Sequence, residues 1–366
     1  MRQQHPTMDR RAFVKWLTCA AGAPLLFGTA PGLAAAPARG AKNTGRKKPM
    51  IKPPRLRRGQ TVGLLAPASN AWENEDIRFA MEVIESLGFK IKPGKHLFDR
   101  INYFAGKDRE RADDVNRMFA DPAVHAIWAL RGGTGSARIL PHLDFEMIRN
   151  NPKALIGYSD ITALHSAVAG HAGLVTFHGP IAKQNFSEYT LAHFKKVLME
   201  PEDRAVLAAP PPFEPAEGQA EKENRLTVFR GGKARGHLIG GNLAIVQQLM
   251  GTPYEPQFDG AILFLEDVNE EPYRIDRMLT HLWLSGHLQR VAGIAFGKFT
   301  DCDSKNGNSF SIEEIIADRC LPLGVPVIRG LMIGHVEDQA TIPIGVQAEL
   351  DVDAGTITLL EKAVEM

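Results

Sequence analysis

The sequence predicts an α/β protein in two halves joined by an irregular stretch. Three observations predict it. Apolar strand-like runs alternate with amphipathic helical segments over residues 59–200. A break rich in Pro, Ala and Glu, without periodicity, follows over 201–224. Strands and helices then resume in a mixed order over 225–366.

The first half opens on Thr61-Val-Gly-Leu-Leu-Ala-Pro-Ala-Ser, a buried strand running into a turn. Residues 73–87 have helical periodicity and stop at Gly88. A short strand over 89–93 and a charged amphipathic helix over 107–119 follow. Ala123-Val-His-Ala-Ile-Trp-Ala-Leu reads as a strand halted by Gly132-Gly133, with a helix opening near Gly135. Ala154-Leu-Ile-Gly is a further strand, 161–169 a helix, and Leu174-Val-Thr-Phe-His closes the series. The strands are continuously apolar rather than alternating, which fits a parallel sheet covered on both faces.

In the second half, 226–230 and 234–239 read as strands, and Asn242 as the N-cap of a helix reaching Met250. Then come a buried strand over 261–265, a helix over 273–284, a strand over 291–296 and a helix over 311–319. The C-terminus alternates as strands, and no internal repeat is present.

Composition narrows the function. The chain is 366 residues, 44% hydrophobic and 23% charged, which excludes a disordered or low-complexity protein. A net charge of +1 argues against a nucleic-acid binder. That balance is uneven: residues 1–58 hold thirteen basic side chains and one acid, leaving 30 basic and 41 acidic residues in 59–366. Asp9-Arg10-Arg11-Ala-Phe-Val-Lys, a weakly apolar stretch over 17–28 and Ala34-Ala-Ala resemble a twin-arginine signal peptide over 1–36, cleaved near Ala36. The expectation is export to the periplasm, with no stable membrane insertion afterwards, since the apolar stretch is too short and too broken by Gly and Pro to span a bilayer. Residues 37–58, rich in Lys, Arg, Pro and Gly, read as a flexible basic arm. Cys302 and Cys320 remain after cleavage, either as a disulfide or as two thiols. No CxxC or HExxH occurs and the His are scattered, so neither a metal nor a cofactor is expected.

Four stretches could carry chemistry. In Gly157-Tyr-Ser-Asp-Ile, Ser159 sits on a sharp strand-to-helix turn, where a hydroxyl is presented and backbone N–H groups can hold an oxyanion. Ile161 replaces the second Gly of a G-x-S-x-G elbow, so Ser159 or Asp160 could equally be a helix cap. Leu265-Glu-Asp ends a buried strand, placing Glu266 either at the rim of a sheet or on a solvated acidic turn. His335, after Gly334, is either a general base or an ordinary loop residue. Arg131-Gly-Gly-Thr-Gly-Ser lacks the Lys-[Ser/Thr] of a P-loop but offers backbone N–H groups. Together they give an order Ser…Glu…His in which the acid orients the imidazole and the imidazole deprotonates the hydroxyl.

These stretches resemble the LD-carboxypeptidase family, serine peptidases that trim murein peptides and include a microcin-inactivating relative. The resemblance runs through Val62-Gly-Leu-Leu-Ala-Pro-Ala-Ser, Tyr103-Phe-Ala-Gly with Asp108, Arg109 and Arg111, Arg131-Gly-Gly-x-Gly with Arg138, and Gly157-Tyr-Ser-Asp. It continues through His178-Gly-Pro, Gly240-Gly-Asn-Leu, Leu265-Glu-Asp and Gly334-His-Val with Asp338-Gln339. It implies a Rossmann-like or flavodoxin-like N-terminal domain over 59–200 and a smaller β-rich C-terminal domain over 225–366, with the site between them in a homodimer. It implies Ser159 as nucleophile, His335 as base, Glu266 as its partner, and the N–H groups of Gly133 and Asp160 as oxyanion donors. Arg131 and Thr134 would face the substrate, a murein peptide losing its terminal D-amino acid. Thr134 departs from the family's usual Tyr, which leaves substrate preference open. Hydrolysis of an antibiotic-like peptide conjugate is the alternative, and a non-catalytic periplasmic peptide-binding protein is the third.

Overall fold

The computed structural model describes residues 50–304 and 307–366. The predicted signal peptide and most of the predicted arm lie outside them. Among the described residues no helix is long and apolar enough to cross a membrane.

The first half supplies five strands of a six-stranded sheet. Its strands in chain order are β1 (Thr61–Leu65), β2 (Lys90–Pro93), β3 (Ala126–Ala129), β4 (Ala154–Gly157) and β5 (Thr176–His178). They lie side by side in the order β2-β1-β3-β4-β5, all parallel. Helices α1 (Asn74–Ser86), α2 (Asp108–Ala120), α3 (Ser136–Ile139), α4 (Phe145–Asn150) and α5 (Thr162–Ala167) connect them. Alternate strand residues enter two different cores. Leu64, Ala126, Trp128 and Ile156 pack on one face, and Leu65, Ile127, Ala129 and Leu155 on the other. That period of two is why the strands read as unbroken apolar runs. This strand order is flavodoxin-like, and its switch point lies between the C-terminal ends of β1 and β3.

Helix α6 (Glu188–Phe194), capped by Ser187, leads into the second half. Strands β6 (Val206–Leu207), β7 (Thr227–Arg230), β8 (Lys233–Asn242), β9 (Ile262–Val268), β10 (Gly293–Thr300) and β11 (Val327–Arg329) follow, and three more close the chain: β12 (Ile342–Ile344), β13 (Gln347–Asp351) and β14 (Thr356–Leu359). Eight of these form a sheet ordered β6-β14-β13-β8-β9-β10-β11-β7, parallel from β8 to β11 and antiparallel on both flanks. Helices α7 (Leu243–Gln248), α8 (Pro272–Leu284) and α9 (Ile312–Cys320) complete the half. Residues of α7, α8 and α9 share a core with Leu263, Leu265, Ile294 and Phe296. Ile262, Phe264, Ala295 and Ile328, on the other face, join the core of Leu64, Trp128 and Phe177 in the first sheet. One apolar cluster therefore runs through both halves.

Three features depart from the sequence reading. Strand β12 comes from the C-terminal half yet pairs antiparallel with β5 of the first sheet, Ile342 opposite His178. Its Pro343 is tolerated because the strand lies at the sheet edge. The stretch 201–224, read as a linker, contains β6, with Ala205, Leu207 and Ala208 fully buried. Residues 50–58, read as part of a flexible arm, are tied down. Ile51 N–H donates to Gly173 O at 2.7 Å, Leu56 N–H donates to Leu198 O at 2.8 Å, and the Leu56 side chain is buried. Cys302 and Cys320 are buried free thiols, and burial pushes both up to about 12.

The buried imidazoles set an acid limit to this fold. Burial lowers His165 and His193 to about 4 and holds His178 well below its ordinary value. Each is neutral in the folded chain and protonates on unfolding. Their contribution is complete above pH 6.5 and is lost as pH falls toward 4. Asp267, raised to about 6 by burial and by the adjacent Glu266 charge, opposes this between pH 6 and 3.8, and Asp160 is also raised, chiefly by burial. Denaturant unfolding from pH 7 to 4.5 is expected to show falling stability. His193→Gln should flatten that slope by up to about 1.4 kcal/mol per pH unit. An unchanged slope would show that His193 is not buried neutral.

Candidate active site

Strand β4 ends in Gly157, and the chain turns sharply before α5. Ser159 stands on that turn with φ +64°, a conformation costly for a residue with a Cβ. Neighbouring contacts hold it there. His165 Nε2 donates to Gly157 O at 2.8 Å. The buried Asp160 carboxylate accepts the Ser136 N–H at 2.8 Å, and the Ser136 hydroxyl donates to Asp160 O. The turn is thus fastened to the start of α3, at the end of the glycine loop.

That loop passes directly against the hydroxyl. A Cβ on Gly132 would lie 2.8 Å from Ser159 Cβ, 2.9 Å from its Oγ and 3.1 Å from Asp160 N. Only glycine fits, and its backbone brings the Gly132-Gly133 segment to the Ser159 hydroxyl and the Asp160 N–H. Ser69, after β1, steadies the loop by accepting the Thr134 N–H on Oγ at 3.0 Å. Buried Arg111 ties the same region together, donating to Pro67 O, to Gly135 O at 2.9 Å and to Asp108 at 2.6 Å. Arg131 donates to Asn70 O at 3.3 Å, and its guanidinium lies 5.7 Å from the ring centre of the exposed Trp72. A cavity of about 400 Å³ lined by Tyr103, Phe104, Thr134, Arg138, Asp160 and Gln248 opens beside the turn.

The second half supplies the acid and the imidazole. Glu266, near the end of β9, is fully buried, and its Oε2 lies 2.7 Å from His335 Nδ1. A carboxylate beside Nδ1 accepts the hydrogen bond of the Nδ1–H, which keeps the proton on that nitrogen and leaves Nε2 as an acceptor. The loop of His335 is held on several sides. Thr300 Oγ1 donates to His335 O at 2.9 Å. Thr190 on α6 donates to Glu337 O at 2.9 Å and accepts the Gln339 N–H at 2.8 Å. Ser187 donates to the Asp338 carboxylate at 2.5 Å.

The two halves meet at Tyr158. Its ring stands edge-on to His335 at 4.7 Å and to buried His178 at 5.9 Å, and Ser159 is the next residue in the chain. Burial, then the Glu266 charge, pushes the Tyr158 hydroxyl far up, so it stays protonated. Glu266 and His335 are in direct contact, Ser159 adjoins them through Tyr158, and Gly133, Asp160, Arg131 and Thr134 lie on the loop and turn around the hydroxyl. Sequence reasoning gave no role to Ser69, Tyr158 or Thr190. Ser69 and Tyr158 fall within quoted motifs, and the Ser-Glu helix start at 187–188 is the signal that could have revealed α6. Away from β4, the ligand atoms of His96, Asp99 and Glu110 lie within 4.8 Å of one another, and His96 is already bonded to Asp99 at 2.6 Å.

If Ser159 is the nucleophile that the resemblance implies, Gly132→Ala is expected to lower turnover about 10²-fold, because the added methyl enters the space at Ser159 Oγ and Asp160 N where the oxyanion would then sit. Steady-state kinetics on a murein tetrapeptide checks it, and full turnover would show that this space is not used.

Comparison with known proteins accords with the geometry. The sequence profile of the LD-carboxypeptidase N-terminal domain matches residues 62–179, and that of the C-terminal domain matches 235–350. A probable murein peptide carboxypeptidase of Bacillus subtilis is 39% identical over 306 residues, covering 82% of this chain and 91% of its own. The solved structure of muramoyltetrapeptide carboxypeptidase from Oxalobacter formigenes superposes with a TM-score of 0.70 at 30% identity, over 82% of this chain and 98% of that one. Microcin C7 self immunity protein MccF in its wild-type apo state superposes with a TM-score of 0.77 at 26% identity, over 86% of this chain and 100% of that one. With both domain profiles matched and the two-sheet fold shared, the chain belongs to the LD-carboxypeptidase family.

Proposed function

We propose that the protein is a serine carboxypeptidase that releases the terminal D-amino acid, D-Ala, from murein tetrapeptide stems. The observation that carries this is the buried Glu266–His335 pair at 2.7 Å, packed through Tyr158 against a serine at φ +64°. In this reading His335 Nε2 takes the Ser159 proton while Oγ attacks the carbonyl carbon of the scissile amide. The oxyanion is held by the N–H groups of Gly133 and Asp160. The C–N bond then breaks, and His335 returns its proton to the departing amine of D-Ala. Water, deprotonated by the same imidazole, cleaves the acyl-serine ester and restores the hydroxyl. The Glu266 carboxylate offsets the charge of the imidazolium. Arg131 and Thr134 face the bound peptide. The twin-arginine-like leader fits a protein that meets murein peptides in the periplasm.

Product analysis on defined tri-, tetra- and pentapeptide stems tests the reading. D-Ala should leave the tetrapeptide alone, and an inert tetrapeptide would overturn it. A second reading, hydrolysis of an amide in an antibiotic-like peptide conjugate, is favoured by the likeness to MccF and by Thr134. Cleavage of such a conjugate with failure on every murein stem would select it.

A further inference from the structure

The nucleophile and its base lie on different halves of the chain, so their alignment depends on what joins the halves. The shared apolar core holds them together without direction. Ser187, Thr190 and the β12–β5 ladder tie the His335 loop to the first half, and a further directional contact joins the serine turn itself to the second half. Thr162, three residues after Ser159, is fully buried, and its Oγ1 accepts the Asn242 N–H at 3.0 Å. Gly241 permits this approach: at φ +130°, a Cβ there would fall 2.4 Å from Thr162 Oγ1. Asn242 ends β8 and sits in register with Glu266 on β9. Its Nδ2 donates to Asp267 Oδ1 at 2.9 Å, and its Oδ1 accepts the Ile245 N–H at 3.3 Å. Asp267 also accepts the Val268 N–H on Oδ1 at 2.9 Å and the Ala244 N–H on Oδ2 at 3.0 Å. Asn242 and Asp267 are both buried. An ionised carboxylate only accepts, and it meets three donors here.

We infer that Thr162, Asn242 and Asp267 form a clasp between the halves that sets the Ser159 turn against the Glu266–His335 pair, making them positioning residues for hydrolysis. The inference rests on the proposed serine mechanism. Every group in the path is buried and hydrogen-bonded, so loosening one link leaves an unpaired donor and shifts the turn. Displacements of about 1 Å cost about 10² in turnover.

Four variants test it on a murein tetrapeptide ending in D-Ala, with Ser159→Ala alongside. Thr162→Val keeps the side-chain shape and removes the acceptor. It is expected to lower kcat about 10²-fold with KM within about threefold, whereas Thr162→Ser stays within about threefold of the parent. Asn242→Asp sets a second carboxylate against Asp267 and should lower kcat comparably. Adding Asp267→Asn restores a donor to that pair and should recover at least about tenfold. The clasp is overturned if Thr162→Val keeps its kcat, if Thr162→Ser is as slow as Thr162→Val, or if the double variant is as slow as Asn242→Asp. An active Ser159→Ala would instead overturn the serine mechanism, so the two failures are separable.

Discussion

Ser159→Ala is expected to lower D-Ala release from a murein tetrapeptide by at least about 10⁴-fold, with the fold intact. Losses of that size follow when the attacking atom of a Ser-His-acid set is removed, and the remainder reflects binding and the oxyanion pocket alone. The substitution keeps the Cβ and therefore keeps the cost of φ +64°. Ser159→Gly separates the two effects. It should be equally inactive, yet gain about 1 kcal/mol in unfolding free energy, because glycine adopts positive φ without a steric penalty. Chromatographic product analysis and denaturant unfolding read both quantities. Retention of full activity in Ser159→Ala would remove the nucleophile assignment. A Gly variant no more stable than the parent would mean that the turn is not strained.

Glu266→Gln is expected to cost about 10³–10⁴ in kcat with little change in KM. The amide matches the carboxylate in size, so the packing around this fully buried position is kept. What changes is the charge and the hydrogen-bond sense at His335 Nδ1. An amide N–H facing that nitrogen favours the tautomer with its proton on Nε2, the atom that must accept from Ser159. Stability should stay equal or rise, since Glu266 Oε1 is buried without a hydrogen-bond partner and a neutral amide costs less to bury than a carboxylate. His335→Ala should be slower to a similar degree, because residues acting as one unit do not contribute additively. A loss below tenfold in Glu266→Gln would show that the buried acid does not orient the base.

The parallel strands of the first half were legible from sequence because burial on both faces leaves a local mark, an unbroken apolar run such as Ala126-Ile-Trp-Ala. The helix starts at Asn74, Asp108 and Ile312 were legible within a residue or two because caps and periodicity are local as well. Ser159, Glu266 and His335 were each found at element ends. Taken singly, each had an ordinary structural explanation, and only the ensemble of motifs favoured chemistry. Their assembly was not local information. Glu266 and His335 are 69 positions apart, and their 2.7 Å contact depends on where β9 and the loop after β11 fall in the second sheet.

By itself, then, the sequence determined the α/β class, most element positions, the family resemblance and the candidate residues. The tertiary structure alone decided that β12 crosses into the first sheet, that 50–58 docks beside Gly173 and Leu198, and that β6 joins β14. It also decided that Ser159 adopts positive φ and that Asn242 reaches both Thr162 and Asp267. The physical reason is range. Propensity, capping and periodicity act within a few residues, whereas an edge strand's partner or a strained turn's backbone angle is fixed by the total burial and hydrogen bonding of segments distant in the chain.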